Sequence, residues 1–207
     1  MSPEEKVAQR HPVGFLARIL MRWRDGKYAA SAFSVISFSY IGSLGQIDDF
    51  TWEVTYRPLS MPMNELVRVG SLPRDFFTKL DTTFDIASSY FESLAELHIL
   101  RLIDQKNDAI ESADDCRRKF VARYLFRKLA RERKLTERWA SFDEGPFKLW
   151  CDDFRPANVL LNKDLKTAGV VDCELTYAAP VEFSYAPPWW LLIEKPECWP
   201  TDGGLED

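Results

Sequence analysis

The chain has 207 residues, 46% of them apolar and 29% charged, and a net charge of −5. This is the size and composition of one domain, or one domain with an appendage, able to bury a core. The acidic balance speaks against a nucleic-acid protein, whose footprint is a basic excess.

Residues 1–37 form an N-terminal extension. Phe15, Leu16, Ile19, Leu20 and Trp23 recur at helical spacing with Arg18 and Arg22 between them, which predicts an amphipathic helix packing on the domain. Glu4 and Glu5 count against a transit peptide. Residues 38–57 read as strand, turn, strand. Gly42-Ser43-Leu44-Gly45 invites comparison with a glycine loop that covers phosphates, but such a loop needs a Lys-bearing strand soon after. Here Pro58 and Pro62 break the chain and the next Lys is Lys79, so a surface hairpin is expected.

Residues 84–106 predict a helix, with Tyr90, Leu94, Leu97 and Arg101 at 3.6-residue spacing and Asp81, Thr82 or Thr83 as its cap. His98, on this helix, reads as a packed or surface histidine rather than a ligand. Residues 108–138 predict a longer, broken helical region. Phe120, Val121, Tyr124, Leu125 and Leu129 supply its buried stripe, among nine Lys and Arg residues between Arg117 and Lys134. Those basic residues read as a solvated face, with a phosphate-bearing partner as the other reading.

Residues 147–180 hold the densest chemistry. Asp153 precedes Asn158 by five positions; two short β-rich runs follow, Val159–Leu161 and Ala168–Val171, around the polar Asn162-Lys163-Asp164. Such a pair predicts a hairpin, and a hairpin returns the chain, so Asp172 should end beside Asn158. Two carboxylates and an amide then converge, as hard oxygen donors of the kind that hold Mg²⁺ together with substrate phosphates. Phosphoryl transfer uses this set: one Asp to orient the attacking hydroxyl, an Asn and a second Asp to hold the metal. Beyond Pro180, aromatics and prolines up to Trp190 read as a pocket wall or as packing against the lobe.

Asp153-Phe154-Arg155-Pro156-Ala157-Asn158 followed by Gly169-Val170-Val171-Asp172-Cys173-Glu174 resembles the catalytic loop and metal-binding Asp of the aminoglycoside phosphotransferase family, and Glu174–Pro180 is similar to fungal members. The family's His-Gly-Asp is replaced by Cys151-Asp152-Asp153, and its Trp-Glu after the metal Asp by Cys173-Glu174. The resemblance implies an α+β fold: the mostly helical larger lobe of a protein-kinase-like structure with small β-hairpins, over residues 38–207. It implies Asp153 as catalytic base, Asn158 and Asp172 as metal ligands, Mg²⁺ and ATP as cofactors, and a small-molecule hydroxyl acceptor. Asp152 is read as an extra acid standing behind the metal ligands, Arg155 as a loop-ordering or phosphate-contacting residue, and Glu174 as an anchor for the following loop.

The smaller lobe, with its glycine loop and ATP-binding Lys, is not recognisable, so the chain is expected to be part of a larger lobe. A catalytically silent kinase-like remnant, or an interaction module, is the alternative. An exposed lobe surface makes self-association an expectation as well. Cys116, Cys151, Cys173 and Cys198 form no Cys-x-x-Cys pair, and His11 and His98 are the only histidines, so no zinc site is expected. No apolar run approaches the roughly 20 residues of a membrane span. With no signal peptide evident, neither a membrane partner nor disulfides are expected, and the cytoplasm is the expected setting.

Overall fold

A computed structural model of the chain describes residues 36–49, 51–58, 79, 81–104, 110–152, 154–164, 167–173 and 175–185. Residues 1–35 of the N-terminal extension, with the helix expected there, and the segment after Tyr185 lie outside them. The fold is mixed α+β. Its strands are β1 (Ser37–Phe38), β2 (Gly42–Gln46), β3 (Trp52–Tyr56), β4 (Phe147–Cys151), β5 (Val159–Leu161), β6 (Thr167–Val170) and β7 (Thr176–Ala179). Its helices are α1 (Ala87–Asp104), α2 (Ala113–Arg131) and the short α3 (Val181–Tyr185), with 3₁₀ turns at Glu137–Phe142 and Pro156–Asn158.

Five strands form one antiparallel sheet in the order β1-β4-β7-β2-β3, and β5 pairs with β6 in a separate hairpin. Both hairpins expected from the sequence are present. The first does not stand alone on the surface: Gly42 and Ser43 pair with Ala178 and Tyr177, which joins it to the β4–β7 pair. Gly42 and Gly45 are buried within β2. A Cβ at Gly42 would collide with the Tyr56 carbonyl oxygen and lie 2.7 Å from Val54 Cγ1, so glycine here answers a close approach of strands rather than a phosphate.

Two apolar clusters hold the elements together. Leu44, Leu149, Val170 and Cys173 form one, tying the β5–β6 hairpin to the sheet. The other joins Ile41, Phe147 and Ala178 of the sheet region to Tyr90, Phe91 and Ala95 of α1 and Ala130 of α2, with Phe183 of α3 against its edge. Tyr90 meets Phe84 edge to face at 5.5 Å between centroids and Phe183 at 6.2 Å.

The start of α1 departs from expectation. Its first amides are capped from a distant loop, not by Asp81, Thr82 or Thr83. The Asp143 carbonyl accepts from Ala87 N (2.7 Å), and the Asp143 carboxylate accepts from Ser88 N (2.8 Å) and Ser88 Oγ (3.0 Å). The nearer candidates are too far upstream, because Phe84 is already engaged in a reciprocal backbone bridge with Ile41. α2 begins at Ala113, inside the expected helical region: Ser112 Oγ accepts from Asp115 N at 3.1 Å, with acids in the first turn and Lys128 and Arg131 in the last.

The apolar stripe on α2 is the larger correction. Phe120, Val121, Tyr124, Leu125 and Leu129 are between 41% and 54% exposed, and Ala130 is the one buried residue of that helix. The face turned to α1 is instead held by Phe126 and Ala130 and by ion pairs from Arg127 and Arg131 to Glu96. Arg117, Lys119 and Lys128 pair with Asp114, Asp115 and Glu132 on their own helix, as a solvated face would.

Candidate functional site

The centre of the sheet is the β4–β7 pair, and the candidate site hangs from one end of it. Cys151, the last residue of β4, is in register with Thr176, the first of β7. One step beyond, Asp152 N donates to the Leu175 carbonyl at 3.3 Å. The connection after β4 and the connection before β7 therefore leave the sheet side by side. Phe154 N returns to the Cys151 carbonyl (3.3 Å), and Pro156 starts a 3₁₀ turn closed by Asn158 N to the Arg155 carbonyl (2.9 Å).

Asn158 is buried at the end of that turn. Its Oδ1 accepts from Arg155 Nε at 3.3 Å, and its carbonyl accepts from Val171 N at 2.9 Å. The hairpin thus brings the residue before Asp172 into hydrogen-bond contact with Asn158, with Val159 opposite Val170. Asp172 is exposed and takes a left-handed backbone, φ 56°. Arg155 has a loop-ordering contact in this arrangement. Asp153, the expected base, and Glu174 lie outside the described residues. Cys151 and Cys173 are buried, the latter in the cluster beneath the hairpin.

Asp152 supports the loop through partners that sequence reading did not identify. Its Oδ1 accepts from Trp150 Nε1 at 2.6 Å and from the Tyr177 hydroxyl at 3.4 Å. Trp150 and Tyr177 are cross-strand neighbours, and Trp150 and Asp152 are two residues apart, on the same side of an extended chain. That Trp-x-Asp spacing was the available signal. Burial, then the neighbouring Tyr90 and the Asp152 charge, hold the Tyr177 phenol well above its ordinary pKa, so it remains a donor. Burial pushes the Tyr90 phenol up as well.

The donor chemistry suits Mg²⁺ in kind. Asn158 and Asp172 offer an amide oxygen and a carboxylate, both hard ligands. The Asp172 carboxylate is open to solvent; the Asn158 oxygen carries the Arg155 contact, which a metal would have to share or displace. Among the described residues no three His, Cys, Asp or Glu side chains gather as a metal cluster, and no helix is long and apolar enough to cross a membrane. Compared with family models, with curated proteins and with solved structures, the chain finds no match in any of the three.

Proposed function

We propose that this chain carries the phosphotransfer site of a small-molecule kinase-like enzyme, passing a phosphoryl group from ATP to a hydroxyl acceptor with Mg²⁺. One observation carries the reading: the paired ends of β4 and β7 set the Asp152–Asn158 loop beside the Asp172 connection, with Val171 N bonded to the Asn158 carbonyl. Asn158 and Asp172 would hold the metal, which would supply charge neutralisation on the phosphates. Asp153, next to Asp152, would orient the acceptor hydroxyl. Trp150 and Tyr177 hold Asp152 and so fix the backbone that leads into that residue.

A second reading is favoured by two observations. Gly42–Gln46 is a buried strand rather than a phosphate-covering loop, and α2 turns five large apolar side chains outward. On that reading the chain is a catalytically silent remnant or an interaction module with the larger lobe's framework. Thermal unfolding with and without Mg²⁺ and ATP separates the two. A ligand at about a hundred times its Kd adds roughly 2.7 kcal/mol, several degrees in Tm for a chain of this size. A rise that disappears in Asp172→Asn supports phosphotransfer; cooperative unfolding with no shift supports the remnant.

A further inference from the structure

α1 and α2 pack antiparallel, and their contacts fix the register. Glu96 meets Arg131 at 2.6 Å and Arg127 at 3.5 Å, and the His98 ring lies edge to face on Phe126, centroids 5.9 Å apart. Continuing that register by one turn sets Arg101 opposite Arg123. Here the pattern of the seam changes, because no acid among the described residues answers the two guanidinium groups. Arg101 Nε and Arg123 Nη1 are both buried with no hydrogen-bond partner. Asp115 acts on Arg123 only through its field; its carboxylate is taken up by Lys119 at 2.8 Å and by the Glu111 amide at 3.1 Å.

We infer that this part of the α1–α2 seam is an oxyanion site, in which Arg101 and Arg123, with His98 one turn away, receive a phosphate-type tetrahedral anion. Two unanswered cations in a partly dry seam repel each other and lose hydration, and an anion between them reverses both effects. Guanidinium forks match the oxygens of a phosphate group, and two fixed positive charges favour a dianion over a single carboxylate. Both arginines are half-buried rather than sealed in, which leaves an approach from solvent. The field of the pair is already visible in its neighbours. Burial, then Arg101, lowers the Arg123 pKa, and burial, then Arg123 and Arg101, brings His98 down to about 4. The groups that face His98 are Arg101 on its own helix and Arg123 and Phe126 on α2; Glu96, nearby on α1, is held by Arg127 and Arg131.

The inference is independent of the phosphotransfer reading and is tested without Mg²⁺ or ATP. Thermal unfolding of the whole chain is compared in inorganic phosphate and in chloride at equal ionic strength. Phosphate at about ten times its Kd should raise Tm by roughly 3–6 °C, and the rise should vanish in Arg123→Met and in Arg101→Gln. In chloride both variants should unfold at or above the wild-type Tm, since each relieves a like-charge contact; a variant that merely failed to fold would move the other way. A larger shift from phenyl phosphate than from phosphate would identify a phosphoryl group on a larger molecule, and an equal or smaller one the free ion. The His98 pKa, read by NMR in His11→Gln, should climb from about 4 towards its ordinary value in phosphate. Equal Tm in the two salts, a shift undiminished in both variants, or an unmoved His98 titration would overturn the proposal.

Discussion

Asp172 lies at φ 56° and is exposed, a backbone that costs an L-residue about 1–2 kcal/mol and glycine nothing. Asp and Asn bear less of that cost because their short polar side chains bond locally. Glycine gives part of its advantage back through the greater freedom of the unfolded chain, about 0.5–1 kcal/mol. The three substitutions therefore separate backbone from chemistry. Asp172→Gly should be neutral or up to about 1 kcal/mol more stable than wild type, Asp172→Asn within about 0.5 kcal/mol of it, and Asp172→Ala about 1 kcal/mol less stable. Urea unfolding of the series reads these differences directly. All three should lose the Mg²⁺- and ATP-dependent rise in Tm, since all three remove the carboxylate. An Asp172→Ala protein as stable as Asp172→Gly would refute the strain argument. An Asp172→Asn protein that kept the full ligand-dependent rise would refute the metal role and leave the strain argument standing.

Three further outcomes follow from other parts of the fold. Asp143→Ala removes the carboxylate that accepts from Ser88 N and Oγ at the start of α1 and should cost about 1–2 kcal/mol by urea midpoint, while an exposed residue elsewhere would cost little. Gly42→Ala places a methyl group against the Tyr56 carbonyl and Val54, and because the first is backbone the sheet must shift; a loss of about 1–3 kcal/mol is expected in the same assay, and a neutral result would mean that β2 and β3 sit further apart. His98 titrates near 4 in the fold, against about 6.5 unfolded, so between those values the unfolded chain binds the extra proton. In chloride, stability should then fall by roughly 3 kcal/mol as pH drops from 6.5 to 4. His98→Leu should remove that part of the pH dependence, and identical pH profiles for the two proteins would contradict it.

Local pattern was enough for the helix of α1 and for both hairpins, because each is specified within about 20 residues by periodicity and turn chemistry. A break was expected somewhere within 108–138 without its position, which Arg133 marks with a left-handed φ of 56°. What the sequence did not disclose are choices made at long range. Phe120, Val121, Tyr124, Leu125 and Leu129 form a stripe of correct helical period, but a period does not say which face meets a neighbour. The Glu96 ion pairs with Arg127 and Arg131, from the other helix, accompany the opposite choice. The cap of α1 was missed for the same reason: Asp143 is 55 residues from Ser88. At the candidate site the hairpin was legible from spacing, while the bond it makes to Asn158 falls on Val171, one residue before the expected Asp172. The Trp150 and Tyr177 contacts to Asp152 depend on β4 and β7 pairing in one particular register.

That register explains why the candidate loop is held where it is. β4 and β7 are interior strands, each bonded on both sides, with β1 beyond one and β2 beyond the other. A loop leaving such a pair inherits the position of a rigid support, the condition a reactive constellation needs. Asp152 then fastens the loop's first residue a second time, through its amide to Leu175 and its carboxylate to Trp150 and Tyr177. Removing the Trp150 indole would leave the backbone bond and the weaker 3.4 Å phenol contact in place. It would therefore loosen the entry to the loop more than the sheet. Asn158 is held separately, by Arg155 and by Val171 across the hairpin. The two ends of the loop are thus fixed by different parts of the fold.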